Sequence, residues 1–196
     1  MFREDGRKKD EIKQIIIKNL NSYTYLKQGN THVRVKSDGP KEGNKLNISM
    51  VFSKSSRQEQ INEKRIFELE TEIYNIFNNI ILTDNNIDIE IEVIQEDGSL
   101  ISTIVNCVTL NLCYIGVPLI DFPCSITYSR FQDLTLCEEQ GRNFFINVVW
   151  LMNREKIVYF KSLGRVTQEV LQKINEEGFL GCKKIYQQLK SFLISI

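Results

Sequence analysis

The chain has one histidine, one tryptophan and three prolines among its 196 residues. The histidine, His32, has no Ser, Cys or Asp motif beside it and makes a poor general base. Five cysteines (Cys107, Cys113, Cys124, Cys137 and Cys182) are scattered, odd in number and mostly set in apolar surroundings. No Cys-x-x-Cys and no Cys/His pair stands at zinc-ligand spacing, so no metal site is expected. The thiols read as buried and reduced, as in a nuclear or cytosolic protein. Excess charge is missing too, because 25 Lys+Arg balance 25 Asp+Glu. That excludes a general electrostatic binder of nucleic acid; contact with an acidic partner must come from local clusters. No apolar run reaches the roughly eighteen residues a bilayer span needs. The opening MFREDGRKKDEIK is charged throughout, unlike a secretory signal, so no membrane partner is expected.

What is present is ordinary globular material. Apolar residues make up 42% and charged residues 26%, which rules out disorder as the main state. The length suits one domain over residues 1–196 with a substantial core. Apolar–polar alternation predicts strands over Ile15–Leu20, Tyr23–Lys27 and Thr31–Lys36, with a tight turn at Gln28-Gly29-Asn30. Asp38-Gly39-Pro40 is expected to end this meander, and Leu46–Phe52 to form a fourth strand. Ser53 to Gln60 has no period and reads as a loop. Ile66, Leu69, Ile73, Ile76, Phe77 and Ile80 recur at spacings of three and four, the stripe of an amphipathic helix.

Ile87, Ile89, Ile91 and Val93 then alternate with Asp88, Glu90 and Glu92, giving a strand with one buried face and one solvated carboxylate face. Leu100 to Ile115 is apolar nearly all round and uncharged, a buried core helix closed by Gly116. Phe122–Tyr128, Phe144–Leu151 and Ile157–Phe160 read as strands, the last two joined at Asn153-Arg154-Glu155. Thr167 is placed as N-cap of a closing helix with the stripe Val170, Leu171, Ile174, Cys182, Ile185, Leu189 and Phe192. Gly178 and Gly181 interrupt it at a cost of about 1 kcal/mol each, so the helix must lean on tertiary packing. With no linker and no repeat, the expectation is a single α+β domain.

Taken in order, the turns and caps carry a resemblance. Arg3-x-Asp5-Gly6-Arg7, Gln28-Gly29-Asn30-Thr31 and Gly39-Pro40 resemble the opening of the RNase PH family. Gln95-Glu96-Asp97-Gly98, Asn106, Gly116-Val117-Pro118, Asp121, Asp133-Leu134 and Glu138-Glu139 extend it toward the C-terminus. Within that family, QGNT, GVPLIDFPC and DLTLCEE are most similar to the ring subunits of the eukaryotic RNA exosome, in the lineage of the archaeal phosphorolytic subunit. The resemblance implies an RNase PH-like fold (ribosomal protein S5 domain 2-like) of paired β-α-β units. Such domains assemble side by side into a hexameric ring. It also implies partners: other RNase PH-like ring subunits, S1/KH-type cap subunits, a hydrolytic exoribonuclease and single-stranded RNA. The compartments implied are the nucleus, with its nucleolus, and the cytoplasm.

The family chemistry is attack of inorganic phosphate on the last 3′-phosphodiester of an RNA. It needs cations and a small-residue turn to hold phosphate, and carboxylates for a metal or a proton. The position matching a family phosphate-binding arginine is Tyr74, which has no permanent charge. Ser99-Leu100 stands where active relatives have a Gly-Thr or Gly-Ser cradle. The run Gln140-Gly141-Arg142-Asn143-Phe144 lacks the aspartate active members carry after Glu139. The expectation is therefore a non-catalytic ring subunit with no catalytic residue, no metal and no cofactor of its own. An active phosphate-dependent 3′→5′ exoribonuclease is the alternative, and a diverged member of another assembly is a third. Lys54, Arg57, Lys64 and Arg65 are the candidate RNA-binding residues. Arg3, Arg7, Lys8 and Lys9 read as a solvated terminus, and Asp97 and Asp133 as turn and cap residues.

Overall fold

Alternating residues in the first third build β1 (Ile15–Leu20), β2 (Tyr23–Gln28) and β3 (Thr31–Lys41), an antiparallel meander turning at Gly29-Asn30. The computed structural model describes residues 3, 5–20, 22–43, 45–53, 63–141 and 144–195. β4 (Leu46–Phe52), α1 (Glu63–Phe77) and β5 (Asn86–Gln95) follow, with β4 and β5 parallel and α1 as their crossover. The five-stranded sheet has the order β1-β2-β3-β5-β4. α2 (Leu100–Tyr114) leads to β6 (Pro123–Tyr128), the short α3 (Leu136–Gln140), β7 (Phe144–Leu151) and β8 (Lys156–Gly164), and these last three strands form an antiparallel sheet in sequence order. α4 (Gln168–Lys173), a π-helical turn at Ile174–Gly178 and α5 (Phe179–Ile194) close the chain.

The core is set by the periodicities. Ile87, Ile89, Ile91 and Val93 of β5 and Val33 and Val35 of β3 are buried, as are Leu69, Ile73, Ile76 and Phe77 of α1. α2 lies between the two sheets, packing on β2 and β3 on one side and on β6 and β7 on the other. That is why it is apolar nearly all round, and several of its polar groups are spent on β6. Asn106 donates to Ser125 O at 3.1 Å and accepts from Ser125 N at 2.9 Å, and Thr109 donates to Pro123 O at 3.0 Å. These buried polar groups find partners and fix the register of α2 against β6.

Several expectations are corrected. β3 does not stop at Asp38-Gly39-Pro40 but runs to Lys41, its ladder with β5 shifting register between Asp38 and Lys41. A proline lacking a ladder N–H is tolerated at such an irregularity. The carboxylates of β5 are not merely solvated: Arg34 pairs with Glu92, and Lys36 with Glu90 at 3.9 Å, across the β3–β5 ladder. Cys107, Cys124 and Cys182 are buried as expected, but Cys137 on α3 is exposed and Cys113 half-exposed. Leu171 stands outside the closing stripe, because the π-helical turn shifts the helix face between α4 and α5. The glycine at 181 has a packing reason: a Cβ there would lie 2.7 Å from Ile126 Cδ1 and 2.6 Å from Gln132 Oε1, so α5 seats directly on β6.

The amino-terminal arm is the largest departure. Arg3 is only 5% exposed, and its guanidinium donates to Glu138, to Gln132 O at 2.6 Å and to Asp133 O at 2.9 Å. Arg7 joins it on Asp133 O at 2.9 Å. Only Lys8 and Lys9 match the solvated reading, with Lys9 pairing loosely with Glu177 at 3.2 Å.

Candidate functional site

The residues singled out at 97–100 and 133–139 meet at the amino-terminal end of α2. Gly98 makes this possible: its φ is +75°, and a Cβ would lie 2.4 Å from Thr135 C, so two backbones cross in contact. Ser99 takes the left-handed conformation (φ 55°) and donates its hydroxyl to Leu134 O at 2.9 Å. Its backbone N–H donates to Glu139 Oε1 at 2.6 Å. A carboxylate thus sits on the positive end of the α2 dipole, where an incoming anion would otherwise bind.

Behind this turn, buried Lys13 donates through Nζ to Asp97 O at 2.8 Å and to Gly98 O at 3.2 Å. Its backbone N–H donates to Asp133 Oδ2 at 2.7 Å, and burial pushes the Lys13 ammonium below its ordinary value despite Asp133 3.9 Å away. Asp97 sits in the turn, with Oδ1 3.5 Å from Leu136 N, whereas Asp133 braces the amino-terminal arm and the cap of α3 is Thr135. Asp133 is fully buried, at φ 55°. Glu138 completes a capping box with Thr135 at the start of α3.

In front of the turn lies a cleft of about 170 Å³. Arg65, Glu68, Leu69 and Glu72 of α1 form one wall, Glu96 follows the end of β5 beside it, and Leu100 and Ile101 are the first turn of α2. Glu139 of α3, Phe145 and Asn147 of β7, and Lys161 and Leu163 of β8 complete the lining. Both cations of the lining are matched by carboxylates. Arg65 donates to Glu96 Oε1 at 2.5 Å; Lys161 pairs with Glu72, whose other oxygen accepts from Tyr159 at 2.9 Å. Burial pushes the Glu139 carboxyl up to about 7 and Glu96 adds to the rise, against the Ser99 N–H and the Lys13 charge.

Tyr74, the residue at the expected arginine position, lies outside this lining. It follows Glu72 by two residues, about 200° around α1, and is 39% exposed. A divalent metal is implied by the family chemistry, and the residues present do not fit one. Among the described residues no three His, Cys, Asp or Glu side chains converge as ligands. Glu139, the carboxylate left where active members carry a pair, accepts from Ser99 N–H at 2.6 Å.

Of the candidate RNA-binding residues, Lys54 and Arg57 lie outside the described residues. Lys64 and Arg65 start α1 and diverge: Lys64 faces solvent beside Glu68 at 3.8 Å, while Arg65 turns into the cleft. Sequence reasoning did not single out Lys13, Glu72 or Lys161. Their only signal is a charge set into an otherwise apolar or alternating run, as in Ile12-Lys13 and Phe160-Lys161.

Comparison with known proteins agrees with this geometry. The model of the RNase PH 3′ exoribonuclease family, domain 1, matches residues 8–118. The exosome complex component ski6 of Schizosaccharomyces pombe is 26% identical, with 97% of this chain and 90% of that protein covered. The exosome complex component RRP41 homolog of Arabidopsis thaliana is also 26% identical, over 98% of this chain and 91% of its own. Among solved structures, rice (Oryza sativa) Rrp46 superposes with a TM-score of 0.83 at 21% identity, covering 97% of this chain and 99% of that one.

Proposed function

Because the chain belongs to the RNase PH family of 3′ exoribonucleases, we propose that it is a non-catalytic structural subunit of an exosome core ring. In that role it forms part of the wall of a channel that conducts RNA for 3′→5′ degradation and processing. The observation that carries the reading is the Glu139 carboxylate seated on the Ser99 N–H. The α2 terminus that faces the cleft has its Ser99 N–H already taken by the Glu139 carboxyl, which is negative above a pH of about 7. Around it the lining sets four carboxylates, Glu68, Glu72, Glu96 and Glu139, against two cations. Leu100 and Ile101 supply neither charge nor hydroxyl. A phosphate entering here would be repelled rather than held, and in-line attack needs it held.

The assembly follows from the relatives, which are named as exosome components. The free edge of the smaller sheet supports it: β8 is the last strand and exposes Ile157, Phe160 and Leu163. An apolar open edge of this kind suits pairing with a neighbouring protein. The partners we assign are other RNase PH-like ring subunits, S1/KH-type cap subunits and a hydrolytic exoribonuclease, acting in the nucleus, nucleolus and cytoplasm. Single-stranded RNA passes by Lys54, Arg57 and Lys64, while Arg65 contributes from the cleft mouth. The purified chain, alone and with its ring neighbour, is incubated with inorganic phosphate and a 3′-tailed RNA. We expect no nucleoside diphosphate above background. Appreciable release establishes the alternative, an active phosphorolytic exoribonuclease.

A further inference from the structure

The cleft beside α2 is shaped and charged for something other than phosphate. Glu96 is the telling residue. Its side chain is 5% exposed, Oε1 accepts from Arg65, and Oε2 is buried with no hydrogen-bond partner. A buried carboxylate oxygen without a donor is costly and marks a place where a donor is due. Glu139 lines the same cleft, with one oxygen on Ser99 N–H, close enough to Glu96 for the two charges to repel. Leu69, Leu100, Ile101, Phe145 and Leu163 are the apolar part of the lining, which Arg65, Glu68, Glu72, Asn147 and Lys161 complete.

We propose that this cleft is a socket for the guanidinium of an arginine side chain presented by an adjoining protein, with Glu96 and Glu139 as its acceptors. The inference rests on the reading of the cleft as closed to phosphate. A guanidinium offers five donors in a planar fork, so it can serve Glu96 Oε2 and the Glu139 carboxylate together. Its aliphatic stem finds Leu100, Ile101 and Leu163, and the ring of Phe145 offers a face to the cation. A compact metal ion suits the place less well, since among the described residues no three carboxylate, thiolate or imidazole groups come together as a ligand set and five of the twelve lining residues are apolar. Arg65 and Lys161 remain with Glu96 Oε1 and Glu72, so the socket uses acceptor capacity they leave unused.

The test is calorimetric titration of the full chain at pH 8 with N-acetyl-arginine amide, and in parallel with inorganic phosphate. The arginine amide is expected to bind and phosphate to leave the heat signal flat. Glu96→Gln should weaken the arginine amide at least tenfold. Glu139→Gln, which keeps an oxygen for Ser99 N–H and so preserves the turn, should weaken it by a similar factor. A flat titration with the arginine amide, or variants that bind it as tightly as the parent chain, overturns the socket. If no nucleoside diphosphate is released in the phosphorolysis assay, that result overturns the socket alone. Phosphate binding together with nucleoside diphosphate release overturns the non-catalytic reading as well.

Discussion

Arg3 and Glu138, 135 residues apart, form a buried ion pair in which Arg3 Nε donates to Glu138 Oε1 at 2.7 Å and Nη2 to the second oxygen. Through this pair the amino-terminal arm fastens the α3 cap, and through Lys13 it fastens the Gly98 turn. The walls of the cleft are thus held from behind. Removing one partner of a buried pair leaves the other charge uncompensated, at a cost of about 3–5 kcal/mol. Arg3→Ala should lower the urea-unfolding free energy by about that much. Glu138→Gln, which keeps the capping acceptor, should cost less. Equal stability of Arg3→Ala and the parent chain would show the pair to be incidental.

The same pair sets an acid limit. Burial raises the Glu138 carboxyl, but the Arg3 hydrogen bond, the Thr135 N–H and the nearby guanidinium charges more than offset it and hold it below its ordinary value. Its contribution is therefore present above the unfolded-state value and is lost as pH falls through the lower folded-state value. Chemical unfolding from pH 6 down to pH 3 should show the parent losing more stability than Glu138→Gln.

Glu139 works in the opposite sense. Its carboxyl is pushed up to about 7 by burial. Folding then favours its neutral form, so it subtracts stability as pH rises from about 4.5 to about 7, by up to about 1.4 kcal/mol per pH unit. Glu139→Gln should therefore gain on the parent across that window and hold a constant advantage above it. Urea titrations at pH 5, 6 and 7.5 decide the matter, and parallel curves for the two proteins would refute the assignment.

Two glycines should respond unequally to alanine. Gly98 combines φ +75° with a backbone crossing 2.4 Å from the position of a Cβ, and Gly98→Ala should cost at least about 2 kcal/mol. At Gly181 the alanine gains about 1 kcal/mol of helix propensity, against an overpacking cost of about 1–3 kcal/mol from Ile126 and Gln132. A net loss near 1 kcal/mol is expected. A stabilised Gly181→Ala would mean α5 does not seat on β6 as described.

Charge reversal of Lys54 and Arg57 together should slow passage of long-tailed RNA through the assembled complex and leave assembly intact. The readout is degradation of tailed substrate, with subunit stoichiometry measured alongside. Unchanged degradation removes both residues from the path.

Much of the framework is legible in the amino-acid sequence. The alternation of Ile87 to Val93 and the uncharged run Leu100–Tyr114 each allow one burial pattern, and both elements form as expected. The RNase PH resemblance carried by the ordered turns is borne out by the family match over residues 8–118. Less legible was everything that depends on distant partners. Nothing local to Arg3-x-Asp5-Gly6-Arg7 shows that Arg3 will be buried, since its acceptors lie at Gln132, Asp133 and Glu138. The cleft was visible only in part. Ser99, Leu100 and Glu139 stood out through the resemblance. Glu96 reads only as part of the turn after β5, and Glu72 and Lys161 take on meaning only where α1 and β8 converge on it. The π-helical turn at Ile174–Gly178 was hidden for another reason: a one-residue slip in helical phase is small against a stripe broken by two glycines.

The most direct measurement of whether the cleft can hold phosphate is the backbone amide of Ser99. With the full chain isotope-labelled and inorganic phosphate titrated to millimolar levels, the account predicts a Ser99 resonance that stays in place, its N–H committed to Glu139. A saturable shift of Ser99 would contradict it.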